Sequence, residues 1–134
     1  MNADGKPFLD TNILLYAHTG SDARALRAQQ IIAAGAQIGV QQLNEFASVA
    51  TRKFRQPWTE VRRALDSLRV IFPKPTPITL ETHDAAMRIA ERFGYGIYDS
   101  LVLAAAAQAG CEVLYSEDMR DGQMVAGVRI RNPF

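Results

Sequence analysis

Residues 6–16, KPFLDTNILLY, limit the fold of this chain more than any other stretch. Phe8 and Leu9 are apolar and follow Pro7, which is tolerated where a strand begins because its missing N–H is not yet needed by the ladder. The run stops at Asp10, and from Asn12 the pattern reads as a helix. Residues 6–10 are therefore predicted as a strand that passes directly into a helix, the first half of a β–α unit. The rest of the chain repeats the theme. After a break at residues 19–21, a second helical piece spans 22–34 and ends at Gly35, a residue that readily takes the left-handed cap. Residues 36–40 read as a short second strand. Residues 41–54 carry apolar side chains at 43, 46, 47, 50 and 54, the stripe of a helix laying one face on a core. Thr59 is the predicted N-cap of a helix reaching Val70, and PKPTP at 73–77 is a stiff connector. A helix over 79–93 stops at Gly94. The next, over 98–109, is apolar nearly all round (LVLAAAA) and closes at Gly110, so it is expected to be buried. Residues 112–115 form a third strand. Residues 127–131 form a last one, alternating Val128 and Ile130 with Arg129 and Arg131 as at a half-solvated sheet edge. Strands separated by helices imply a parallel α/β sheet with right-handed crossovers.

A length of 134 residues at 48% hydrophobic composition fits one domain, 1–134, with one core and hence one site to look for. Fifteen basic and fourteen acidic side chains leave a net charge of +1, so the whole-molecule field neither attracts nor excludes a polyanion strongly. The single Cys111 cannot form an intramolecular disulfide and has no Cys or His at zinc-ligand spacing, which suits a reducing cytosol. The N-terminal MNADGKPFLD has no signal-peptide core, and no run approaches the roughly 18 apolar residues of a membrane span. A soluble, cytoplasmic protein with no membrane partner is expected.

Four acids are expected at one place. Asp10 and Asp118 each follow a strand, so in a parallel sheet they project from the same edge, where open α/β sheets form their ligand crevice. Glu45 lies soon after a strand end, on a helix whose side chains tilt back toward its N-terminus. Asp99 sits in the first turn of a helix, where the dipole favours an anion. That helix runs antiparallel to the following strand, which returns Asp99 to the carboxyl edge. Without a cation such carboxylates repel by a few kcal/mol per pair, taking roughly 5 Å and an effective dielectric of about 20. Either one stays protonated or a metal is held there. Oxygen-only donors select Mg²⁺ or Mn²⁺, bound by few carboxylates and several waters, which leaves positions for phosphate oxygens. Such a site activates water for attack at phosphorus.

Each acid also has a plainer reading. Asp10 could cap the helix that follows it, Glu45 falls opposite the apolar stripe where a solvated Glu is expected, Asp99 could be an ordinary first-turn acid, and Asp118 a turn residue. Glu117 competes with Asp118 for the inward position. His18 and His83 have no spacing partner, although His18 could line the cleft near Asp10. Residues 52–74 hold seven basic side chains, among them Arg52, Lys53, Arg55, Arg62 and Arg63, against Glu60 and Asp66. With Trp58 amid them they form either an RNA track or two solvated helical faces.

The motifs FLDTN (8–12), QQLNEF (41–46), YDSLVLAAA (98–106) and LYSEDM (114–119) together resemble the PIN-domain ribonucleases. The length and the NPF ending are similar to the VapC-type toxins of toxin–antitoxin pairs. The resemblance spans almost the whole chain and rests on four motifs in the family's order. It implies a three-layer α/β/α sandwich with a central, mainly parallel sheet. It also implies a Mg²⁺- or Mn²⁺-dependent endoribonuclease that acts on RNA, is held inactive by a cognate antitoxin and forms a homodimer. On that resemblance Asp10, Glu45, Asp99 and Asp118 are the acids of the site, with Asn12 and Ser116 hydrogen-bonding a carboxylate or a bound water. Two rivals stand beside it. A phosphatase or phosphotransfer domain would use Asp10 as nucleophile, but a haloacid-dehalogenase-like site would want Asp at position 12, where Asn stands. A non-catalytic RNA- or protein-binding module would have no need of four carboxylates.

Overall fold

The structure, a computed structural model, describes residues 5–134. The chain runs β1 (Phe8–Leu9), α1 (Thr11–Thr19), α2 (Ala23–Ala34), α3 (Val40–Arg52), α4 (Trp58–Ile71), α5 (Leu80–Phe93), α6 (Ile97–Gln108), β2 (Val113–Tyr115), β3 (Met124–Val125) and β4 (Val128–Arg131). The sheet order is β1-β2-β4-β3, with β1, β2 and β4 parallel and β3 antiparallel to β4.

Strand residues alternate between the two faces of a sheet, and here the alternation builds two cores. The paired residues Phe8, Leu114 and Ile130 face one way, onto α5 and α6, where they pack with Val102, Leu103 and Ala106. Leu9 and Tyr115 face the other way, onto α1 to α4, and meet Ile13, Phe46, Ala50, Val61 and Leu68. Each fully buried Leu, Ile, Val or Phe contributes about 1.5–3 kcal/mol. The result is the expected α/β/α sandwich. The all-round apolar helix is α6, and Val102 to Ala106 are all buried.

Several expectations need correction. The second strand over 36–40 reduces to isolated bridges, Phe8 with Gln37 and Gly39 with Thr76, because α3 already begins at Val40 and leaves too little extended chain for a ladder. Thr59 does not cap α4: the helix starts at Trp58, and Pro57 (φ −67°, ψ 152°) holds the N-cap position without a side-chain bond. Residues 127–131 are not the sheet edge. The two-residue β3 covers β4 through a tight hairpin whose central residues, Ala126 (φ 51°) and Gly127 (φ 80°), are both left-handed. That combination favours Asn-Gly or Asp-Gly, and with Ala in the first position the turn carried no sequence signal.

Candidate active site

The register of β1 on β2 builds the centre of the site. Leu9 pairs with Tyr115, and the Asp10 N–H extends the ladder by donating to the Tyr115 carbonyl at 3.0 Å. Asp10 and Ser116 therefore stand side by side at the carboxyl ends of adjacent strands. Ser116 Oγ donates to Asp10 Oδ2 at 2.7 Å and the Thr11 N–H donates to Oδ1 at 2.8 Å, so both carboxylate oxygens are engaged. The side chain is only 6% exposed. Burial pushes its pKa to about 6 against the pull of those two hydrogen bonds, and the charges of Glu45 and Asp118 push the same way.

Ser116 serves both strand-end acids. Its Oγ also accepts the Asp118 N–H at 3.2 Å, the turn-forming use of a serine hydroxyl. Asn12, in the first turn of α1, donates from Nδ2 to Asp118 Oδ2 at 3.0 Å. Thr11 Oγ1 donates to Glu45 Oε2 at 3.3 Å, and Gln41, one turn earlier on α3, also hydrogen-bonds Glu45. Burial raises the Glu45 pKa, with Asp99 and Asp118 adding to it; burial and then Asp118 raise that of Asp99. Each of the four acids thus feels at least two of the others: Asp10 couples to Glu45 and Asp118, and Asp99 to Glu45 and Asp118. They form one electrostatic cluster, drawn from two strand ends and two helices.

The PIN domain model matches residues 8–122. The chain belongs to the PIN domain family. Solved structures share the fold. A toxin–antitoxin complex from Klebsiella pneumoniae superposes with a TM-score of 0.71 at 21% identity, over 96% of this chain and 98% of that one. Mycobacterium tuberculosis VapC20, a toxin that cleaves the sarcin–ricin loop, gives 0.68 at 18% identity over 84% and 90%. VapBC2 from Rickettsia felis, bound to a DNA fragment from its promoter, gives 0.61 at 16% identity over 93% and 96%. No curated protein matches the sequence.

The PIN fold of this chain also separates the two acids that compete after β2. Glu117 turns away from the cluster: its Oε1 accepts from Tyr16 Oη at 2.8 Å and lies 3.7 Å from Arg24 Nη1. Tyr16 packs edge-on against Phe134 with centroids 5.2 Å apart, and the Arg24 guanidinium lies over both rings. The C-terminal NPF thus anchors the side of the site that holds Glu117. His18 is exposed, hydrogen-bonds Gln56 at 3.2 Å and lines a groove of about 930 Å³ between α1, α2, α3 and α4 whose lining includes none of the four clustered acids. Cys111 is a buried member of the core beneath α5 and α6.

The basic side chains of residues 52–74 divide among separate surfaces. Arg52 lines a groove with Glu45 and Tyr98, Arg62 and Arg69 line another with Trp58, and Arg63 lines the large groove with His18. Lys53 and Arg55 are exposed beyond the end of α3, with Lys53 over the Phe54 ring. Two residues that the motif reading passed over matter to the site: Thr11, which bonds Asp10 and Glu45 at once, and Gln41. Gln41 had a sequence signal, since Gln and Glu four residues apart share a helical face.

The donor set fits a hydrated hard cation. Every side chain of the cluster offers oxygen, and three of its acids are pushed toward the neutral form by burial and mutual repulsion, which a cation would relieve. Asn12 Oδ1 is, in addition, a buried acceptor with no hydrogen-bond partner. Among the described residues no three His, Cys, Asp or Glu side chains close into a ready-made cage.

Proposed function

We propose that the chain acts as a single PIN domain over 1–134, a Mg²⁺- or Mn²⁺-dependent endoribonuclease and the toxin of a toxin–antitoxin pair. The observation that carries this reading is the mutual coupling of Asp10, Glu45, Asp99 and Asp118 in a PIN fold. Asp10, Asp118, Asp99 and Glu45 would hold the metal. When bound, the metal would neutralise the acids and the charge that builds on the phosphate, and lower the pKa of a water.

The chain's own residues set the rest. Ser116 and Thr11 hold the Asp10 carboxylate in one orientation, and Asn12 does so for Asp118. Glu45, half-buried with its pKa raised, is suited to take the proton of the attacking water. The water oxygen forms a new bond to phosphorus as the ester P–O bond breaks, and the departing oxygen carries away the bond's electron pair and takes up a proton. The phosphatase reading fits less well, because position 12, where a haloacid-dehalogenase-like site would want Asp, holds Asn12, whose amide is committed to Asp118.

The solved structures of similar fold include toxin–antitoxin complexes, which supports a cognate antitoxin as partner, and the family resemblance supports a homodimer. Among the described residues no helix is long and apolar enough to cross a membrane, in keeping with action on cytoplasmic RNA. The test is cleavage of single-stranded RNA by the purified protein. Cleavage is expected with Mg²⁺ or Mn²⁺ and lost with EDTA; cleavage that survives both EDTA and Asp10→Asn would overturn the assignment.

A further inference from the structure

Beside the acid cluster runs a groove of about 440 Å³ that the four carboxylates do not explain. One wall is α3, which contributes Gln41, Glu45, Ser48 and Arg52. Their spacing of four, three and four residues keeps them on one helical face. The facing side chain is Tyr98, which immediately precedes Asp99 in the first turn of α6. Arg52 is the last residue of α3 and lies seven residues beyond Glu45, about 10 Å along the helix axis. Among the described residues no carboxylate stands within ion-pair reach of it. Tyr98 is 61% exposed, so packing within this chain leaves most of its ring unused.

The groove thus brings together the carboxylate Glu45, an accessible aromatic face and an uncommitted guanidinium. A nucleotide has the matching parts. Its base stacks on an aromatic face in any sequence, and its phosphate takes an arginine fork. Stacking of this kind needs an unpaired base, because the bases of a duplex are already covered. Building on the ribonuclease reading above, we propose that this groove binds the ribonucleotide adjoining the scissile phosphate of a single-stranded RNA, with its base on Tyr98 and its outer phosphate on Arg52.

Binding can be measured apart from cleavage by using the full chain carrying Asp10→Asn and a short fluorescein-labelled single-stranded RNA, followed by anisotropy over a salt series. Adding Tyr98→Ala is expected to weaken binding about tenfold or more, while Tyr98→Phe restores it. Adding Arg52→Gln should reduce the steepness of the log Kd against log salt line by about 0.7, the loss of one single-strand phosphate contact. In the otherwise wild-type chain, Tyr98→Ala should act mainly on KM. Binding and KM unchanged in Tyr98→Ala, with an unchanged salt slope in Arg52→Gln, would overturn the subsite while metal-dependent cleavage by the wild type still stood. Equal affinity for a duplex of the same sequence would overturn it as well. Variant-sensitive binding by a chain whose wild type never cleaves would uphold single-stranded RNA binding in this groove but overturn the nuclease reading, and with it the placement beside a scissile phosphate. A melting temperature that falls in Arg52→Gln with no change in salt slope would mark Arg52 as a charge that only steadies the end of α3, and would remove it from the proposal.

Discussion

Two helices of this chain open on an aspartate, and the two residues behave differently. Asp22 begins α2 as a helix cap should: it is exposed, and its Oδ1 accepts the Arg24 and Ala25 N–H groups at 3.1 and 3.2 Å. Asp10 begins α1, but its side chain accepts from neither the second nor the third N–H of its helix. It takes the Thr11 N–H and the hydroxyl of Ser116 on the neighbouring strand instead, and is buried with its pKa near 6. A helix start alone asks only for what Asp22 does. Asp10 is a carboxylate held where its charge is costly, oriented by a side chain 106 residues away. The same residue type at the same kind of position serves the helix in one case and is tied to the neighbouring strand in the other.

The largest expected difference between the two is in activity. Asp10→Asn should reduce RNA cleavage on the order of a thousandfold or more, because several kcal/mol of metal-assisted stabilisation go with it. Asp22→Asn should leave the cleavage rate unchanged, and a parallel loss in both variants would erase the contrast.

Stability should move the opposite way. A buried acid whose pKa rises from 3.8 to about 6 on folding favours the folded state at low pH, and that stability is lost as pH climbs through the folded value. The metal-free protein should therefore lose up to about 3 kcal/mol between roughly pH 4 and 6 on this account. The raised pKa values of Glu45 and Asp99 act in the same direction. Asp10→Asn should be more stable than wild type at pH 7 without metal, by up to that amount, and should lose this share of the pH dependence. Urea unfolding at a series of pH values checks it.

Ser116→Ala removes the hydroxyl that holds Asp10 in its ionised form, so the Asp10 pKa should rise further and cleavage should fall about tenfold, the worth of one hydrogen bond to a charged group. The smallest effect belongs to the ordinary cap: Asp22→Ala should cost about 1 kcal/mol of stability, read from the urea midpoint.

Much of this arrangement was legible in the sequence. The six helices were visible because their apolar stripes and glycine stops are local signals, and the meeting of four acids followed from strand ends and helix starts. The α/β/α layering itself came from the likeness of the four motifs to the PIN family. The failures are places where tertiary context decides. Residues 36–40 looked like a strand, yet with α3 starting at Val40 only single bridges remain. The β3–β4 hairpin was invisible because Ala126 takes a left-handed conformation usually left to Asn, Asp or Gly. Which of Glu117 and Asp118 faces the site depends on Tyr16 and Arg24, far away in sequence, drawing Glu117 aside. For the basic residues of 52–74 the sequence left an RNA track and solvated helical faces both open, and in the structure successive positions such as Arg62 and Arg63 of α4 line different grooves.

Calorimetric titration of Mn²⁺ into wild type and Asp10→Asn, without RNA, tests the shared role of the acids most directly. Saturable binding by the wild type at neutral pH, weakening as pH falls through about 6 and lost in the variant, is the result expected from a buried carboxylate that a cation must keep ionised. A wild type that takes up no ion, or a variant that binds as tightly, would contradict it.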